Sequence, residues 1–76
     1  MDLSEFIVNA MKYIDCKLEK INSESINRPK VRSMIKISIV SNAKKLMLLN
    51  SSSQQNEIDY IFRKCLSQEL LKNKGE

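Results

Sequence analysis

The side chains of this 76-residue chain best suited to chemistry are two cysteines, Cys16 and Cys65, and two close carboxylate pairs, Asp15 with Glu19 and Glu57 with Asp59. There is no histidine. Most acid–base and triad schemes need an imidazole, so neither thiol has an activating base of that kind. Lys64 is next to Cys65 in sequence, but on a helix consecutive residues do not face one another. Two thiolates fall short of a Cys-only zinc site, and Cys/His sites are excluded. The carboxylate pairs read as solvated helix faces. The single glycine, Gly75, leaves no glycine-rich loop to cradle a phosphate. The expectation is a protein that is not an enzyme and has no metal or cofactor. Its cysteines are expected to serve as small apolar residues with reduced thiols.

Three elements carry these residues. Over residues 2–22, Leu3, Phe6, Ile7, Ala10, Met11, Tyr13, Ile14, Leu18 and Ile21 fall on one side of a helical wheel. Only Val8, Cys16 and Lys17 are out of place. Asp2 with Glu5 fits a capping box. This is an amphipathic helix with a stripe broad enough for two neighbours. Residues 23–29 connect it to the next element. Pro29 suits a first helical turn, with Asn27 or Ser25 as the cap.

Residues 30–50 admit two readings. Their apolar residues spread round most of a helix, as in a helix buried on several sides. Yet Met34 to Val40 alternates with period two and is rich in β-branched residues, which favours a strand. The chain has no second strand-like run, so a strand would need another subunit. Helix is the preferred reading. Ser52 or Ser53 offers a cap for a third helix over 54–72, with Ile58, Ile61, Phe62, Cys65, Leu66 and Leu70 as its stripe. Tyr60 and Leu71 lie on its back, and Glu69 lies within the stripe. Residues 73–76 are expected to fray.

The whole is one domain. The expected fold is all-α: a small three-helix bundle or extended helical hairpin-like protein, oligomeric. The alternative is a helix–strand–helix interwoven dimer. There is no signal-peptide pattern after Met1 and no apolar run long enough to span a bilayer, so a cytoplasmic protein is expected.

Ser67–Leu71 reads SQELL. Over four residues it is similar to the SQELD signature of small helical-hairpin phosphatases that act on phosphorylated response regulators. Leu71 stands where that family has its functional aspartate, so the activity does not carry over. In general form the chain resembles small helical accessory proteins such as type III secretion co-chaperones, phage proteins that bind host enzymes, and antitoxin-like regulators.

Charge is unevenly placed. Residues 28–50 hold six bases and no acid, while the chain's net charge is +4. The same segment is about half apolar. A second helix in contact with two others hides roughly half its girth, and small monomers seldom expose large apolar patches. The remainder is expected to meet another protein, a second copy of the chain, or both. Candidate anchors are Ile37, Val40, Met47 and Leu48, with Lys44 and Lys45 around them. The primary expectation is a non-catalytic interaction module: an adaptor, chaperone or inhibitor of a partner protein. The alternative is a dimeric nucleic-acid-binding regulator that meets phosphates through segment 28–45, with Arg28, Lys30, Arg32 and Lys36.

Overall fold

The computed structural model describes residues 2–74, with side chains described as far as Leu71. Three helices form in order: α1 (Leu3–Glu19), α2 (Arg28–Met47) and α3 (Ser51–Lys74). There is no strand among the described residues. The fold is all-α, a small three-helix bundle of 41 × 19 × 19 Å.

Each helix starts where the chain supplies an oxygen for orphan backbone donors. The Asp2 carboxylate accepts from the Glu5 amide at 2.7 Å. The Asn27 side chain accepts from the Lys30 amide at 3.2 Å, with Pro29 in the first turn of α2. The third cap is not Ser52 or Ser53. Asn50 Oδ1 accepts from the Ser53 amide at 2.8 Å, so α3 begins at Ser51 rather than 54. Asparagine and serine cap about equally well, and here the tight turn after Met47 decides. α1 stops at Glu19, short of 22, because the Lys20 and Ile21 amides close tight turns on Lys17 and Leu18. Of the expected frayed tail, Asn73 and Lys74 fall within α3, and Gly75 and Glu76 lie outside the described residues.

The interwoven-dimer alternative is corrected at its strand. Residues 34–40 are helical, inside α2. Their alternation lost to a second pattern in the same residues. Val31, Ile35, Ile39 and Ala43 recur every four residues and are all buried. A lone strand would have left its ladder groups unpaired within the chain, whereas helix satisfies them locally.

α2 is the central element, packed on both α1 and α3, which approach one another less closely. Ile14 from α1 and Val31, Ile35 and Ile39 from α2 are fully buried, with Phe6, Met11, Ile58 and Phe62 around them. α1 and α3 are joined by side chains. Lys17 Nζ and the Tyr13 hydroxyl both donate to Asp59 Oδ1, at 2.6 and 2.7 Å. The Lys17 ammonium also lies 5.0 Å from the Tyr13 ring centroid and 5.3 Å from that of Phe62.

Candidate interaction surface

The core takes one side of α2 and leaves the other to solvent. Ile37 is 66% exposed, Val40 49% and Leu48 88%, while Met47 is half-buried at the edge of the core. Ile37 and Leu48 are eleven residues apart, so they lie within about 20° of one line, roughly 16 Å apart. Lys44 sits on that line between them and Val40 flanks it; Lys36 and Lys45 border it, exposed. No acid occurs on α2. The outer face of α2 is therefore an apolar strip with a lysine border. At about 25 cal/mol per Å², covering a few hundred Å² of such a strip is worth several kcal/mol.

The four bases of the nucleic-acid alternative do not form one free patch. Arg32 grips Asp15 of α1 through two hydrogen bonds, Nε to Oδ1 at 2.7 Å and Nη2 to Oδ2 at 3.3 Å. The Asp15 carboxylate, by hydrogen bond and charge, holds the Arg32 guanidinium pKa above its usual value. Arg28 donates to the Ile21 carbonyl. Lys30 Nζ stands 3.9 Å from Glu69 Oε2 on α3. Lys36 alone of the four has no such partner among the described residues, and it lies beside the apolar strip. The sequence counted these charges correctly but could not show their tertiary partners.

Two further features escaped the sequence reading. Val8 is 52% exposed on α1, where it lines a groove with Met11, Lys12, Arg32 and Lys36. Its position outside the apolar stripe was the available signal. Glu69 is only 4% exposed, and its Oε2 has no hydrogen-bond partner among the described residues.

The chemistry-bearing residues are dispersed. Cys16 is exposed on α1; Cys65 is buried on α3, where burial pushes its thiol pKa up, away from the reactive thiolate. Asp15 is taken by Arg32 and Asp59 by Lys17 and Tyr13, while Glu19 and Glu57 are exposed. Ser67, Gln68 and Leu71 of the SQELL stretch are exposed on α3. No helix among the described residues is long and apolar enough to cross a membrane. No protein-family model, curated protein or solved structure matches the chain.

Proposed function

We propose that this chain is a non-catalytic protein-interaction module, an adaptor, chaperone or inhibitor that works by covering and being covered. Its contact surface is the outer face of α2 and its C-cap: Ile37, Val40 and Leu48 as anchors, Met47 at the edge, Lys44 on the line between the anchors and Lys45 at the border. The observation that carries this reading is that the two most exposed apolar residues of α2 and its C-cap, Ile37 and Leu48, share one line with Lys44 between them. Apolar anchors inside a polar rim are the usual anatomy of a protein contact. The lysines favour a partner surface with acidic groups around an apolar centre, and they speed encounter with it.

The nucleic-acid reading has less support. Arg32 is committed to Asp15, and Arg28 and Lys30 point to groups within the chain. What remains exposed and basic is interleaved with apolar side chains, whereas phosphate contact favours a charged and polar surface.

The test is affinity capture from host extract with the wild-type chain, the Ile37→Ser/Leu48→Ser double variant, and Lys20→Ser as a control. Proteins retained by the wild type and the control but lost with the double variant support the reading. Identical capture by all three contradicts it.

A further inference from the structure

The α1–α2 side of the bundle has a pattern that matches itself. The Arg32–Asp15 bond sets the register of these two helices. Val8 is seven residues before Asp15, and residue 39 is seven after Arg32. The two positions are therefore level, each roughly 10 Å along its helix from the ion pair. Val8, Ile37 and Val40 thus cluster at one height, all about half exposed or more.

A two-fold axis perpendicular to the helices, placed midway between Ile37 and Val40, sits at the height midway between Val8 and Asn9. Glu5 and Lys12, both exposed on α1, are equally spaced about that same height. Turning a second copy about this axis lays α2 on α2 and α1 on α1, antiparallel. Ile37 then meets Val40 of the second copy, and Glu5 meets its Lys12. Lys44 comes opposite Ser33 rather than another lysine, and Lys45, level with Arg32 of the other copy, lies about 140° round the helix from that residue's face. One axis satisfies both helices at once, which an arbitrary pair of exposed faces would not do.

We infer that the face formed by α1 and α2 is an isologous contact with a second copy of this chain, centred on Val8, Ile37 and Val40 and flanked by two Glu5–Lys12 pairs. This rests on the interaction-module reading and names its partner. The face is about 30 Å by 19 Å, on the order of 600 Å² a side, below the ~800 Å² of a standard stable interface. The dimer is accordingly a concentration-dependent one.

Sedimentation equilibrium of the full chain tests this over a concentration series up to about 1 mM, the scale of a weak association. The mass is expected to rise from monomer to dimer and no further. Ile37→Glu/Val40→Glu replaces side chains that are exposed in the monomer, so helical circular dichroism and melting should persist. The dissociation constant should rise at least about thirtyfold, as for central anchors. Glu5→Lys and Lys12→Glu should each weaken the dimer, and the double reversal should restore it. A monomer at every concentration overturns the inference, as does a dimer indifferent to Ile37→Glu/Val40→Glu. A double reversal that restores nothing overturns the two-fold register and the inference with it. A monomeric mass leaves the capture experiment above standing, because capture reports on a different protein.

Discussion

Lys17 Nζ lies 2.6 Å from Asp59 Oδ1, and through that bond the first helix is held to the third. The Tyr13 hydroxyl shares the same oxygen. Hydrogen bonds from Lys17 and then Tyr13 hold the Asp59 carboxyl below the usual carboxylate range, and the Asp59 bond raises Lys17. Asp59 with a lowered folded pKa contributes stability that is present above its unfolded value near 4 and is lost as pH falls through the folded value. Lys17 contributes fully below its own unfolded value near 10.5 and loses that only as pH rises past its raised folded value. Asp59→Asn should lower stability at pH 7 by about 1–2 kcal/mol, as for a partly buried charge-assisted network. It should also flatten the fall in stability between pH 5 and 2. Urea denaturation across that pH range checks both, and an unchanged acid slope would show that the clasp is not formed in solution.

Ile35 and Ile37 are two residues apart on one helix and should behave oppositely. Ile35 is fully buried between α2 and its neighbours. Ile35→Ala removes buried methyl groups and should cost about 2–4 kcal/mol. A 76-residue chain has on the order of 4–11 kcal/mol in all, so the loss is a large fraction. Ile37→Ser should change monomer stability by less than about 0.5 kcal/mol, as at other surface positions. Denaturant melts of the two variants, at matched low concentration, make the comparison. Equal losses would mean that α2 presents a different face to the core.

Glu69 should be a position where removing charge stabilises. Its side chain is buried, and among the described residues Oε2 has no hydrogen-bond partner and the one cation within 4 Å is Lys30 at 3.9 Å, beyond hydrogen-bond reach. Glu69→Met keeps the volume and drops the desolvation cost, so a gain of about 1–3 kcal/mol is expected. A loss of stability in the thermal melt would indicate that Lys30 closes on the carboxylate in solution.

The elements were readable because their signals are local. The Asp2 and Asn27 caps, the Pro29 start and the stripe of α1 all lie within a few residues of what they determine. The three residues that broke the α1 pattern were informative. Val8 and Cys16 are exposed, and Lys17 folds back to Asp59, forty-two residues away. What the sequence withheld was tertiary. The partners of Arg32 and Lys30 lie on α1 and α3, and nothing near either base in sequence marks them. The side of α2 left open was also hidden, because apolar residues spread nearly all round it. Only the packing of α1 and α3 separates buried Ile35 and Ile39 from exposed Ile37 and Val40.

The central claim is that the outer face of α2 exists to be covered by protein. A photoreactive amino acid in place of Ile37, and in a separate variant of Leu48, tests it most directly when illuminated in the native host and read by mass spectrometry. Asn9, exposed at the groove between α1 and α3, is outside this strip and provides the comparison position. The prediction is defined protein adducts from positions 37 and 48, to a second copy or to a distinct protein, well above those from position 9. Adducts no more frequent from 37 and 48 than from 9 would contradict it.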